Sequence, residues 1–207
     1  MFGLSVGSSN RYCYAVKNFA SHGYEYRQCP ECGRTIAFPL PKDKEDTLMI
    51  EGGKLFPDFL SFGGSGVHLY VSSNVVRIFE ANAISGFNVD KCIPIFRNIK
   101  GKNMLISNVS YYSINIIGEI DLDLKFMNLK KKKLCNLCGQ FDWNRQRLSI
   151  LDAKLDYDTW DKSDLCRLSS FPGYIVSSDK VAELIKYHNL TGVYLQAEKD
   201  IFRIPMN

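Results

Sequence analysis

The strictest alternation in the chain begins at Ile114. Ile114, Ile116, Ile120, Leu122, Leu124 and Phe126 fall on one side of an extended segment, and Asn115, Glu119, Asp121, Asp123 and Lys125 on the other, with Ile117 the one interruption. One apolar face and one wet face predict a strand in an antiparallel sheet, with Gly118 as a bulge. Elsewhere the period lengthens to that of a helix. After Val71-Ser72-Ser73-Asn74, Val76, Phe79 and Ala83 share a helical face, Ser72 or Ser73 supplies the N-cap oxygen, and Gly86 ends the helix. After Val176-Ser177-Ser178-Asp179, Val181, Leu184 and Ile185 line a second inner face, and Gly192 follows its end.

Shorter signals fill in the rest. Tyr12, Tyr14 and Val16 alternate as a strand, and residues 34–38, 87–89 and 193–195 read as further strands. Residues 39–46 are rich in proline and charge and predict a loop, and residues 56–64 an apolar, glycine-rich turn. Gly63, Gly64 and Gly66 do not form a phosphate-cradling loop, because no Lys-Ser or Lys-Thr follows them.

Two stretches recur at a constant distance. Cys29-Pro30-Glu31-Cys32-Gly33 and Cys135-Asn136-Leu137-Cys138-Gly139 lie 106 positions apart, as do Asp58-Phe59 and Asp164-Leu165. The two helix entries, and the pair Ile84-Ser85-Gly86-Phe87 and Leu190-Thr191-Gly192-Val193, share that offset to within one residue. Landmarks in one register predict a duplicated unit of about a hundred residues. The expected fold is α+β: two pseudo-duplicated units, 1–100 and 101–207, mainly antiparallel strands with one helix each, packed as one globule about a pseudo-two-fold axis. The paired aspartates are expected to cap or tie turns rather than to act as an acid–base pair.

Each CxxCG turn aims two sulfurs at one centre, and the following glycine is free to take positive φ. A tetrahedral zinc needs four ligands, so Cys29, Cys32, Cys135 and Cys138 predict one structural Zn²⁺ shared between the halves. One zinc per turn, an empty site and a redox dithiol remain as alternatives. A dithiol oxidoreductase needs a CxxC at a helix start beside a βαβ pattern, and no helical pattern follows either turn.

Composition narrows the picture further. The chain has 207 residues, 45% of them apolar, so a core forms without help from disulfides. Its net charge of +4 is too mild to mark a nucleic-acid binder. The lysine run 130–133 lacks interleaved aromatics and reads as a solvated loop or strand end, or as a charge that steers an acidic partner. Of seven cysteines, Cys13, Cys92 and Cys166 stand outside the turns and read as buried thiols. No basic n-region opens the chain and no apolar run is long enough to span a bilayer, so a reducing cytoplasm is expected. His188 reads as a packing residue, and His22 and His68 stand apart from any carboxylate pattern. No serine or cysteine sits in a hydrolase motif, so no enzymatic activity is expected.

The two turns, the segment Trp160-Asp161-Lys162-Ser163-Asp164-Leu165 and the ending Leu190-Thr191-Gly192-Val193 resemble the bacterial double-CxxCG motif family. Asn136 departs from the proline found after the first cysteine in that family. The family consists of proteins regarded as immunity proteins of polymorphic-toxin and effector systems. The resemblance implies a small cytoplasmic protein that binds one cognate toxin or effector, with no catalytic residues and no small-molecule substrate. Tyr111, Tyr112, Asp121 and Asp123 are the candidate partner-binding residues, as aromatic anchors and as acids on a wet strand face. The rival reading is a zinc-ribbon nucleic-acid-binding regulator, which needs a continuous basic face.

Overall fold

A computed structural model describes residues 1–6, 12, 14–16, 24–31, 33, 35–39, 46–60, 69–97, 103–105, 109–128, 135 and 152–202. Its strands are β1 (Phe2–Val6), β2 (Tyr14–Val16), β3 (Tyr24–Gln28), β4 (Thr35–Pro39), β5 (Asp46–Glu51), β6 (Phe59–Leu60), β7 (Leu69–Ser72), β8 (Phe87–Arg97), β9 (Asn103–Leu105), β10 (Tyr111–Ile116), β11 (Gly118–Leu122), β12 (Leu155–Asp156), β13 (Leu165–Leu168), β14 (Phe171–Ser177) and β15 (Val193–Ala197). Helix α1 spans Ser73–Ala81 and α2 spans Asp179–Tyr187. The fold is α+β and mostly strand.

Two large sheets carry the architecture. One runs β2-β5-β8-β10-β7-β6, with β9 on β8, and the other β12-β11-β13-β14-β1-β15; β3 and β4 form a separate hairpin. Most pairings are antiparallel, and β5 with β8 and β11 with β13 are parallel. The sheets do not divide at residue 100. β1, from the start of the chain, lies between β14 and β15, and β10 lies between β7 and β8. Each half thus lends a central strand to the sheet of the other.

The pairings correspond between the sheets. Leu4 faces Ile175 and Leu195, while Ile114 faces Leu69 and Val89. Ala15 pairs with Ile50, and Asp121 with Asp156, each 106 positions further on. Phe59 pairs with Val71, and Leu165 with Ser177, at the same interval.

Alternation along the strands explains the cores. On β7, Leu69 and Val71 face a core that includes Val75, Phe79, Val181, Ile185, Leu4 and Ile114, while Tyr70 faces a cluster with Ala15, Leu48, Ile50, Leu60 and Tyr111. On β14, Ile175 faces the same shared core, while Val176 faces a third cluster with Ile120, Leu122, Leu155, Cys166 and Leu168. One face of each sheet and both helices therefore enclose a common centre, and each sheet keeps a smaller cluster on its far side. Burying a single such aliphatic side chain contributes about 1.5–3 kcal/mol, so a centre built from both halves holds them together.

Both helices start as the sequence predicts. Ser72 caps α1 by accepting from the Val75 amide at 3.5 Å, and Ser178 caps α2 by accepting from Val181 at 3.4 Å. Their ends differ from expectation. α1 stops before Ala83, which takes a left-handed φ of 48°, as Asn189 does after α2 with φ 51°. The next amides bond back to the helix, Ile84 to Phe79 at 2.9 Å and Leu190 to Ile185 at 3.0 Å. Gly86 serves a different purpose, described below. Val75, Val76, Ile78 and Phe79 form the buried face of α1, and Val181, Ala182 and Ile185 that of α2. Leu184 is half-buried, and exposed Ala83 lies outside the helix.

The strand expected over residues 114–126 is two strands in different sheets. The amides of Ile117 and Gly118 both bond to the carbonyl of Gly86, at 2.9 and 3.1 Å, and the chain then passes from β10 into β11. Gly118 is a crossing point rather than a bulge: a Cβ there would sit 2.2 Å from the Leu165 carbonyl oxygen. Residues beyond Leu122 turn, which leaves Phe126 61% exposed rather than buried. β11 pairs antiparallel with β12 but parallel with β13, so the expected antiparallel setting holds on one edge alone. His188 caps α2 and is exposed, not packed. Among the described residues no helix is long and apolar enough to cross a membrane.

Candidate metal centre

The hairpin of β3 and β4 ends in the first CxxCG turn. Pairing runs down to Gln28 opposite Thr35, so Cys29 follows directly from the last rung. Gly33 takes φ +70° and its amide donates to the Cys29 carbonyl at 2.8 Å, which closes the turn. This is the local geometry that the glycine after the second cysteine foretells.

Cys29 and Cys135 meet. Their sulfurs are 3.6 Å apart across 106 positions of sequence, and the two residues are 2% and 8% exposed. A disulfide holds its sulfurs at about 2.05 Å. Two thiolates on one tetrahedral zinc, each at about 2.3 Å from the metal, sit about 3.8 Å apart. The observed spacing is too long for a disulfide; it matches a thiol–thiol contact and is also the spacing of two thiolates on one zinc. The Cys135 thiol also donates to Glu31 Oε2 at 3.3 Å, so a carboxylate from the first turn reaches the sulfur of the second. Cys32 and Cys138 lie outside the described residues, and among the described residues no group of three or more metal-ligating side chains gathers.

The two halves are also joined by two acids. Asp58 Oδ1 accepts from the Ser72 hydroxyl at 2.9 Å, and Asp164 Oδ1 accepts from the Ser178 hydroxyl at 2.8 Å, so each acid braces the cap of the helix that follows it. Their other oxygens cross to the opposite half. Asp58 Oδ2 accepts from the Thr191 amide at 3.0 Å and hydroxyl at 2.9 Å; Asp164 Oδ2 accepts from the Ser85 amide at 3.0 Å and hydroxyl at 3.1 Å. Gly86 and Gly192, with φ of +91° and +80°, let those turns approach: a Cβ would stand 2.1 Å from Leu165 O and 2.2 Å from Phe59 O respectively. The aspartates tie turns, as expected of them. The receiving residues Ser85 and Thr191 were readable as an aligned pair, but nothing in the sequence joined them to the acids.

The partner-binding candidates fare differently. Tyr111 is a correction: it is fully buried, and its hydroxyl donates to the Pro57 carbonyl at 2.6 Å, so it cannot present a face to a partner. Tyr112 is half-buried against the shared core. Asp121 spends its oxygens on its own chain, accepting from the Leu122 amide at 2.8 Å and from the Ser170 amide and hydroxyl at 3.2 and 2.8 Å. Asp123 accepts from the Phe126 amide at 2.8 Å and pairs with Lys154 at 3.2 Å; the amide bond first, then the lysine, holds its carboxyl below the usual range against some desolvation. Among the described residues the large apolar side chains most open to solvent are Tyr187, at 80%, and Phe126, at 61%. Tyr187 was legible only as the outer side of α2, a position that ordinarily signals nothing.

Cys92 and Cys166 are buried, as expected. Burial pushes the Cys166 thiol up to about 12, with the nearby Asp161 carboxylate adding to it, so it is an inert packing residue. Cys13, His22, His68 and the lysine run 130–133 lie outside the described residues. Set against known proteins, the chain matches no family model and no curated protein.

Proposed function

We propose that this chain is an immunity protein: it binds one cognate bacterial toxin or effector in the cytoplasm and neutralises it by contact, with no catalysis of its own. In this reading the fold is a duplicated unit, and one structural zinc on Cys29, Cys32, Cys135 and Cys138 fastens the two copies together. The metal part is carried by the 3.6 Å approach of Cys29 and Cys135, each the first cysteine of a CxxCG turn, and the immunity part by the resemblance of the two turns, residues 160–165 and the ending Leu190-Thr191-Gly192-Val193 to the double-CxxCG motif family. The duplication draws support from the strand pairings and aspartate ties that recur 106 positions apart. When bound, the zinc would supply a rigid four-sulfur link. The chain itself supplies the rest: the β3–β4 hairpin aims Cys29, and Gly33 curls the turn.

The metal part is tested by zinc content on protein purified without added metal. One zinc per chain, lost in both Cys29→Ser and Cys135→Ser, supports the shared site; two per chain, or none, overturns it. The immunity part is tested in growing cells by co-expressing this chain with a panel of candidate bacterial toxins, each lethal when expressed alone. Rescue of growth on co-expression, with a stable complex on size exclusion, supports it; unimpaired toxicity at full expression overturns it. The rival zinc-ribbon nucleic-acid reading needs a continuous basic face, and a net charge of +4 speaks against it.

A further inference from the structure

The joint between the halves works in both directions. The first half gives β1 to the sheet of β14 and β15 and receives β10 between β7 and β8. It offers Asp58 to the turn at Thr191 and receives Asp164 at the turn of Ser85. The backbone repeats the pattern: the Phe59 amide donates to the Thr191 carbonyl at 2.9 Å, and the Leu165 amide to the Ser85 carbonyl at 3.1 Å. Each half therefore has a strand to give, a slot to fill, an acid and a receiving turn. Such a joint is self-complementary in the way an isologous dimer interface is. None of these contacts depends on both halves belonging to the same polypeptide. What keeps them together is the connection from the end of β8, through β9, into β10.

We infer that this chain can pair with a second copy of itself by exchanging halves, the first half of one copy closing on the second half of the other. The equivalence of the halves rests on the duplication proposed above; zinc and toxin do not enter. Every strand pairing and both aspartate ties are kept in the exchanged form, so the two forms differ mainly in the connection and in the entropy of association. Closure within one chain acts at an effective concentration on the order of millimolar, which keeps micromolar protein monomeric. β8 and β10 pair antiparallel, with Tyr112 opposite Lys91, so the chain must reverse between them. Removing that reversal leaves β8 running on into β10, and closure then has to take place between two chains.

The test deletes residues 98–108 from the full chain, joining Arg97 to Val109. Light scattering is expected to give twice the chain mass, with the wild-type circular dichroism spectrum, while the wild-type chain stays monomeric. Adding Thr191→Val, which removes a hydroxyl that meets Asp58 across the joint, is expected to weaken that dimer about tenfold. A folded monomer from the deletion, or a dimer whose dissociation constant Thr191→Val leaves unchanged, overturns the inference. Should the deletion fail to fold, wild-type protein refolded at millimolar concentration decides: a dimer that relaxes to monomer on dilution supports exchange, and monomer alone overturns it.

Discussion

Asp58 and Thr191, 133 positions apart, are bound to each other three times. The Asp58 amide donates to Thr191 Oγ1 at 3.0 Å, and the Thr191 hydroxyl and amide both donate to Asp58 Oδ2 at 2.9 and 3.0 Å. The same carboxylate takes the Ser72 hydroxyl and the Asn74 side-chain amide on Oδ1, at 2.9 and 3.4 Å. One side chain thus orders a helix start in its own half and a turn in the other. Hydrogen bonds to a charged group contribute about 1.5–3 kcal/mol, and an orphaned donor costs more where water cannot reach it. Asp58→Ala is expected to destabilise the fold by roughly 2–4 kcal/mol in urea unfolding. Asp164→Ala, whose ties to Ser85 are more exposed, is expected to cost roughly half as much. A loss below about 0.5 kcal/mol for Asp58→Ala would remove these bonds from the account of how the halves are held.

The glycines of the joint are separable from the glycine of the first CxxCG turn. At Gly86 and Gly192 a Cβ would collide with a carbonyl oxygen of the opposite half, and φ is left-handed as well. At Gly33 φ is left-handed but no atom lies within 4 Å of the added carbon. Gly86→Ala and Gly192→Ala are each expected to cost at least about 3 kcal/mol, and Gly33→Ala about 1 kcal/mol. Thermal unfolding of the three variants tests the ranking, and equal costs would mean the close approach is not maintained in solution.

Ala83 offers a gain. It holds φ 48° at the position where the second half has Asn189, a residue that tolerates this conformation far better. Ala83→Asn is expected to raise stability by about 0.5 kcal/mol, and the reverse change Asn189→Ala to lower it by a similar amount. Guanidinium midpoints at unchanged slope are the measure.

Tyr157 gives the fold an alkaline limit. Its hydroxyl donates to Glu198 Oε2 at 2.7 Å, and burial first, then that carboxylate, pushes the phenol up to about 12. A phenol whose folded pKa lies above its unfolded value of about 10 contributes stability that is complete below pH 10 and is lost as pH rises toward 12. The stability difference between wild type and Tyr157→Phe should therefore shrink across that window and be flat from pH 7 to 9. A difference that grows with pH would contradict the assigned bond.

How far the sequence could be read depended on whether the signal was local. Ser72 and Ser178 announced the helix starts because capping is settled within three residues. The first CxxCG turn announced itself because its glycine, Gly33, closes the turn within four residues. β1 did not, since Phe2-Gly3-Leu4-Ser5-Val6 is a short, plain run whose place is set wholly by strands some 170 residues away. The alternation from Ile114 to Phe126 misled for a related reason. Ile116 and Ile120 keep the same phase, yet Gly118 carries the chain into a second sheet, and the core that buries Ile116 is not the one that buries Ile120. Tyr111 failed as a surface anchor because its hydroxyl finds its partner inside the fold, in the backbone carbonyl of Pro57, which composition cannot reveal.

The position of β1 also orders events in time. Phe2–Val6 cannot take its place until both of its neighbours exist, and the later of them, β15, ends at Ala197. During synthesis β1 would wait for roughly 190 further residues before the six-stranded sheet could close around it. Until then Leu4 and its neighbours would be exposed apolar residues seeking a sheet, the kind of segment that holding chaperones capture. The slow step in folding is then docking of β1 between β14 and β15, and it should lengthen with anything that delays residues 171–197.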